Sequence, residues 1–243
     1  GLGMSSNVMV NVLLDFGQSF WGTSQMHNEF PGLEQKPFKS TGKFGIGFFS
    51  VFMWGENVRV ISNRYDKARE STMVLEFING VNSRPILRRA NTEEVIKDGG
   101  TCVKVYLSKK GIYEIFESNI HAMMNVEEII AKMCCSLDCN LYTNNGKKKL
   151  LVKANDWLSM KTDKFLKRLL GQKHVVQLIK EKPAVYKLLC NNMRIIKEED
   201  ETIVGRACLF IDEWWLGRDS IEGIVTVDGF VTTKLRGIMG VLK

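Results

Sequence analysis

The chain has 243 residues, of which 44% are hydrophobic and 25% are charged, so it can bury one large core or two modest ones. The formal net charge of +7 is too mild to indicate a nucleic-acid-binding protein by itself. The longest apolar runs are far shorter than the ~20 residues of a membrane span, so we expect a cytoplasmic protein without membrane contact.

The first half of the chain predicts a helix, a long loop and a sheet. Residues 5–16 are rich in apolar side chains, which predicts a largely buried helix with a serine or asparagine as its N-terminal cap. Residues 17–41 are mostly polar and contain glycines and prolines, which predicts a long loop of the kind that forms lids or binding loops. Alternating apolar and polar residues then predict strands over 57–63, 71–77 and 101–107, in an antiparallel sheet with helices on one face.

The second half predicts a different arrangement of helices and strands. Asn125 and Glu128 have the spacing of a capping box, which predicts the start of an amphipathic helix that leads into a strand within residues 140–154. Two helical stretches follow, and Pro183 must kink or split the second of them. Strand character returns over residues 207–215 and 221–233.

The change of character between the two halves predicts two modules. We expect an α+β protein with a first module over residues 1–120 and a second α/β module over residues 121–243.

Two clusters of polar or reactive side chains have plain structural interpretations. Cys134, Cys135 and Cys139 lack the paired spacing of a metal site, so we interpret them as reduced, half-buried thiols on a helix. The three lysines at 147–149 follow a turn-like "TNNG", and no aromatic residues interleave with them as they would in a nucleic-acid site. Nucleic-acid binding is therefore not supported by this cluster, although it stays open.

The stretch "STGKFGIGFFS" places three glycines directly ahead of an apolar segment. Glycine lets backbone N–H groups approach a ligand closely, and the start of a helix favours phosphate, so nucleotide binding is one interpretation. The other interpretation is that the glycines only permit a tight turn and close packing of the backbone. The Walker and dinucleotide-binding motifs both fail, because Pro37 and Ser50 occupy positions where those motifs need glycine.

Three ordered motifs give a more specific result: "GLGM" at residues 1–4, "GKFGIGFFS" at 42–50 and "GGTCVKVYL" at 99–107. Together they resemble the GHKL, or Bergerat-fold, ATPase superfamily, and within it the branch of the ninety-kilodalton heat-shock chaperone. The first motif is similar to the end of that branch's D-x-G-x-G-M, the second to its lid-hinge glycine motif and the third to its Gly-Thr strand. The resemblance implies the C-terminal part of a two-layer ATPase domain and an ATP-driven conformational machine. In such a machine the loop of residues 17–41 would close over the nucleotide.

The resemblance also implies a set of ATP-binding residues. Gly1 and Gly3 would let the backbone pass under the adenine, Met4 would lie against the base, and Thr101 would hydrogen-bond near the aspartate that binds the adenine. Backbone N–H groups would contact the phosphates from Phe44, Gly45, Ile46, Gly47 and Phe48. The side chain of Lys43 could add a positive charge beside them. The alternative interpretations are that Met4 is a core side chain, that Lys43 is a solvated lysine and that Thr101 is an ordinary strand residue.

Three further groups of the family's site are expected before Gly1. They are the adenine-binding aspartate, the general-base glutamate and the asparagine that binds Mg²⁺. We therefore expect the chain to be a fragment that binds ATP poorly and hardly hydrolyses it, whereas the parent protein does both.

In the second module, Lys234 and Arg236 follow a predicted strand, and either could contact the terminal phosphate, although a surface charge pair is the plainer interpretation. The implied partners are ATP and a client protein or a second copy of the chain. Two alternative functions stay open: a DNA-processing ATPase of the same superfamily with a basic groove in residues 150–243, and a non-catalytic interaction module.

Overall fold

A computed structural model of the chain describes residues 1–17, 19–33, 45–114, 124–209, 223–235 and 237–243. The chain divides into two compact units, Gly1–Glu117 and Ser118–Lys243. Each unit combines β-sheet with helices, and the sheets include antiparallel and mixed pairings, which confirms the predicted α+β class.

The sheet of the first unit has four antiparallel strands in the order β3-β2-β1-β4. Its strands are β1 (Asn57–Asn63), β2 (Met73–Phe77), β3 (Ile86–Arg89) and β4 (Gly100–Tyr106). The alternating segments of the sequence become β1, β2 and β4, as predicted. The sequence did not predict β3, because four residues beside a proline are too short to show alternation.

The helices of the first unit are short. In the described residues the α-helices are α1 (Ser6–Asn11), α2 (Ser24–Glu29) and α3 (Lys109–Ile112), and the longest 3-10 helix covers Gly47–Met53. The predicted cap is confirmed, because the Ser5 side chain accepts a hydrogen bond from the Val8 amide. The predicted extent of 5–16 is wrong, since the chain leaves the helix after Asn11 and packs two leucines, 13 and 14, against the core.

One face of this sheet, called the inner face, carries the core of the first unit. Strand alternation places Val58 and Val60 of β1 on this face beside Leu75 and Phe77 of β2, and all four are buried. Met9 of α1 is also fully buried against them. The other, outer face carries an ion-pair network over Arg59, Glu76, Arg88 and Glu94.

The second unit contains a five-stranded sheet in the order β10-β9-β11-β8-β7. β11 runs parallel to β9, and the other pairs are antiparallel. The strands of this sheet are β7 (Arg194–Lys197), β8 (Ile203–Leu209), β9 (Gly223–Val227), β10 (Phe230–Leu235) and β11 (Ile238–Leu242). Much of the predicted strand at 207–215 lies outside the described residues.

Among the described residues of the second unit, the α-helices are α4 (Val126–Met133), α5 (Thr162–Leu170), α6 (Gln172–Glu181) and α7 (Pro183–Asn192). A hairpin joins β5 (Leu141–Asn144) to β6 (Lys148–Val152). The capping box at the start of α4 is confirmed by both of its hydrogen bonds. The split at Pro183 is also confirmed, because α6 ends before it and α7 begins with it.

The cysteine cluster lies after α4 and not on it, which corrects the prediction. Cys134 is the C-terminal cap of the helix, Cys135 is buried and Cys139 is exposed. Burial raises the pKa of the Cys135 thiol to about 12. This thiol is therefore a protonated core side chain at neutral pH.

The core of the second unit lies between its helices and the five-stranded sheet. Phe165, Leu166 and Leu169 of α5 are buried with Leu189 of α7, and they pack with residues from β8, β9 and β11. Arg206 of β8 crosses this core: its guanidinium donates hydrogen bonds to the carbonyls of Trp157 and Met160 and to the Thr162 hydroxyl, and it stacks on the Phe165 ring.

A tight turn between β9 and β10 joins the sheet to the chain after α4. Asp228 and Gly229 both have positive φ, 50° and 89°, which is the conformation of a two-residue hairpin turn. A Cβ on Gly229 would lie 2.8 Å from the Cα of Leu137, so only glycine allows this close approach.

Candidate functional site

The first four residues lie across the end of β1. The Leu2 carbonyl accepts a hydrogen bond of 2.9 Å from the Tyr65 amide. Gly3 has φ +71°, and a Cβ built on it would lie 1.8 Å from the Asn63 carbonyl oxygen. Glycine is therefore required at this position both by its conformation and by the contact with β1.

A buried serine joins this segment to the start of β4. The Ser62 hydroxyl accepts a hydrogen bond of 2.8 Å from the Met4 amide and donates one of 3.1 Å to the Gly100 carbonyl. It also lies 2.8 Å from the Thr101 hydroxyl, which is directly opposite it in the strand register. Ser62 is 1% exposed, whereas Thr101 is exposed.

The hydroxyl pair stands on the inner face, at the end of the apolar rows that form the core. Ser62 continues the row of Val58 and Val60, and Thr101 continues the row of Val103 and Val105 on β4. Val103 is 46% exposed, so this part of the inner face offers an apolar surface next to a polar one.

Met4, whose backbone takes part in this network, has a half-buried side chain. That side chain packs against the core cluster of the inner face. The structure thus brings together Gly3, Met4 and Thr101, which the sequence had assigned to one site, and it adds Ser62. Gly1 adjoins them, because its carbonyl oxygen would lie 3.9 Å from a Cβ on Gly100.

The described part of the glycine-rich stretch leads into the 3-10 helix over Gly47–Met53. Gly45 has φ +62°, and a Cβ on Gly47 would meet nothing within 4 Å. Packing therefore does not require glycine at position 47. The Phe48 ring packs on Phe77 of β2, with the ring centroids 5.7 Å apart, and so anchors the helix to the core of the inner face.

At the start of this helix the Phe49 amide donates a hydrogen bond of 3.1 Å to the Ile46 carbonyl. Ile46 and Gly47 are exposed. Lys43 and Phe44 lie outside the described residues, as does Arg236, so the assignments made to them stay predictions. Lys234 is an exposed residue of β10 in the second unit.

The predicted loop of residues 17–41 contains a helix, α2, in its described part, so it is not a loop throughout. Glu29, at the end of α2, accepts a hydrogen bond of 2.9 Å from the Ser5 hydroxyl and pairs with Arg64 at 3.3 Å. The next residue, Phe30, stacks on Tyr65 with the ring centroids 6.1 Å apart. This segment is therefore docked against the residues that follow β1.

A cavity of about 340 Å³ opens near the start of α1, and its lining includes Ser5, Asn63, Arg64, Lys67 and Arg89. None of the predicted ATP-binding residues lines it. Within the described ranges, no group of three or more His, Cys, Asp or Glu side chains is placed to hold a metal ion.

Ser62 is the residue that sequence reasoning missed. In "NVRVISN" it occupies the position at which alternation demands another apolar side chain on the inner face. A single small polar residue at such a position is the signal that could have drawn attention to it.

Comparison with known proteins gives relatives for part of the chain. No protein-family model matches it. The chain is 35% identical over 112 residues to the chaperone protein HtpG of Borrelia garinii subsp. bavariensis, and 34% identical over 112 residues to HtpG of Borreliella burgdorferi. It is 29% identical over 136 residues to HtpG of Treponema denticola.

These matches cover 46% of the chain for the two Borrelia-group proteins and 54% for the Treponema protein. They span 17–20% of the relatives' own length. The chain is thus related in sequence to a small part of a chaperone. In the part of the chain that the structure describes, no helix is both long and apolar enough to cross a membrane.

Proposed function

We propose that the first unit binds ATP at the end of the inner face and that the protein is a chaperone-like, ATP-driven conformational machine. The observation that carries this proposal is the hydrogen bonding of Ser62 to Met4 and Thr101, because it joins two of the three motifs that resemble the ATP-binding motifs of the family. The similarity to proteins named as chaperones supports the heat-shock-chaperone branch of the superfamily.

In the proposed complex, the adenine lies over Gly1 and Gly3, against Met4 and beside Thr101. The glycine at position 3 supports this placement, because only a residue without a Cβ lets the backbone lie directly against the end of β1, beside Thr101. The exposed apolar surface of Val103 would bury one edge of the base.

The phosphates are proposed to contact the backbone amides of Gly45, Ile46, Gly47 and Phe48, with Lys43 and Phe44 completing the stretch. Gly47 supports this part, because its surroundings are open and packing does not explain its presence. Mg²⁺ would bind with the phosphates and neutralise part of their charge. The residues that activate water for hydrolysis are not assigned within this chain.

The segment of residues 17–41 is proposed to move when the nucleotide binds. Its described part is held by Glu29 and Phe30 against Ser5, Arg64 and Tyr65. These contacts are few, so the binding energy of a nucleotide is sufficient to break them and to form others. A client protein or a second copy of the chain would sense this movement.

Substitution of Gly3 tests the site. In the protein at its native length, we expect Gly3→Ala to weaken binding of a fluorescent ATP analogue with Mg²⁺ by about tenfold or more, because displacing the turn costs ~1–3 kcal/mol. Gly146→Ala is the matched control: its φ is also positive, +78°, but a Cβ there meets nothing within 4 Å. Wild-type protein without saturable binding would contradict the proposed function, and unaltered binding by Gly3→Ala would contradict the placement of the site.

Turnover measurements separate the alternative functions. Steady release of phosphate by the native-length protein, unaffected by DNA, is the result we expect. Turnover that DNA stimulates in a salt-sensitive manner would favour a DNA-processing ATPase. Tight binding without turnover would favour a non-catalytic interaction module.

A further inference from the structure

The Ser62 hydroxyl makes three hydrogen bonds with one proton. It accepts from the Met4 amide, which can only donate, and it donates to the Gly100 carbonyl, which can only accept. Its remaining bond, 2.8 Å to the Thr101 hydroxyl, must then use the proton of Thr101. The oxygen of Thr101 is left with lone pairs and no proton to offer elsewhere.

We propose that Ser62 is a positioning residue for base selection, which directs the Thr101 proton inward so that Thr101 presents a hydrogen-bond acceptor to the ligand. This inference rests on the proposed function, because it assumes that a purine lies beside Thr101. An acceptor at this place favours a purine that carries an amino group at position 6 over one that carries an oxo group there. Ser62 would thus contribute to the choice of adenine without touching it.

The burial of the two residues supports this division of roles. Ser62 is 1% exposed, so water does not compete for its proton, and the direction of its hydrogen bonds is fixed by Met4 and Gly100. Thr101 is exposed and can reach a ligand. A serine–threonine pair in the second unit, Ser136 and Thr226, has the same chemistry at 2.9 Å with both residues buried, and it provides a matched control.

The experiment compares the affinities of ATP and inosine triphosphate, which differ at position 6, by displacement of a fluorescent ATP analogue from the native-length protein. We expect Ser62→Ala to lower the ratio of ATP to inosine triphosphate affinity by about threefold to tenfold, the value of one hydrogen bond. Ser136→Ala should leave the ratio unchanged. Ser62→Thr, which keeps the hydroxyl, should restore it.

A purely structural role of Ser62 would weaken both nucleotides by the same factor, and an unchanged ratio in Ser62→Ala would overturn the inference while leaving the proposed function intact. Wild-type protein that binds neither nucleotide would overturn both. If Ser62→Ala does not fold, Thr101→Val gives the same test at an exposed position, because it removes the acceptor and leaves the bond between Ser62 and Met4 in place. An unchanged ratio in Thr101→Val would equally overturn the inference.

Discussion

Both units contain a hydrogen-bonded serine–threonine pair, but the two pairs use their hydroxyl groups differently. In the second unit Ser136 and Thr226 are both buried, and Thr226 also donates to the Leu242 carbonyl. In the first unit Ser62 is buried while Thr101 is exposed. The second unit thus satisfies its pair internally, whereas the first leaves an oxygen accessible, as a binding site needs.

The arginines of the two units show the same contrast. Arg206 of the second unit is 8% exposed, and its guanidinium bonds to carbonyls and one hydroxyl inside the core. Arg88 of the first unit lies on the outer face and bonds to the carboxylates of Glu76 and Glu94. Arg206 therefore stabilises the core of the second unit, whereas the carboxylates that pair with Arg88 can respond to pH.

The largest effect is expected from Arg206. We expect Arg206→Ala to lower the free energy of unfolding of the second unit by about 2–4 kcal/mol, because it leaves the carbonyls of Trp157 and Met160 unpaired and opens space beside Phe165. Urea denaturation of the purified variant measures this loss. Arg194→Ala is the control, because Arg194 also donates to carbonyls but is exposed, and an equal loss in both variants would refute the contrast.

A smaller effect, dependent on pH, is expected from Glu94. Hydrogen bonds from Arg88 and from the Asn91 amide lower the pKa of the Glu94 carboxyl from its ordinary 4.5 to about 2. A carboxylate whose pKa is lowered by folding stabilises the fold above pH 4.5, and this contribution disappears as the pH falls from 4.5 towards 2.

We therefore expect Glu94→Gln to destabilise the first unit by about 1–2 kcal/mol at neutral pH, the range of charge-assisted bonds that are partly screened. The difference from wild type should vanish near pH 2. Denaturation curves between pH 2 and 7 measure it, with the exposed neighbour Glu93→Gln as the control. A difference that stays constant across this range would show that the carboxylate charge is not responsible.

The smallest changes in stability are expected when one hydroxyl is removed from each serine–threonine pair. Ser136→Ala should destabilise the second unit by ~1 kcal/mol, because it removes a buried hydrogen bond. Thr101→Val should change the stability of the first unit by less than ~0.5 kcal/mol, because Thr101 is exposed. Thermal unfolding of both variants tests this, and a larger loss for Thr101→Val would show that its hydroxyl acts in stability and not in binding.

Local signals in the sequence predicted those elements whose cause is local. The cap at Ser5, the capping box at Asn125 and the break at Pro183 each depend on residues within four positions, and all three are confirmed. The strand β1 also follows the predicted range, because its alternation is regular.

Elements whose cause is tertiary were not predicted. The end of α1 at Asn11 depends on two leucines that pack against a sheet formed much later in the chain. The strands β7 and β11 are held by pairing across the sheet, β7 with β8 and β11 with both β8 and β9. In the candidate site, the motifs led to the assignments of Gly3 and Thr101, whereas the contact of Ser62 with both segments depends on the register of β1 and β4.

The close approach of Gly229 to Leu137 has a consequence for the order of folding. The hairpin of β9 and β10 can close by itself within microseconds, since its turn is local. Its docking must wait until the chain after α4 has reached it, and these two segments are far apart in sequence. Contacts of this kind slow the search for the native state, so the second unit should acquire this part of its structure late, after its helices have formed.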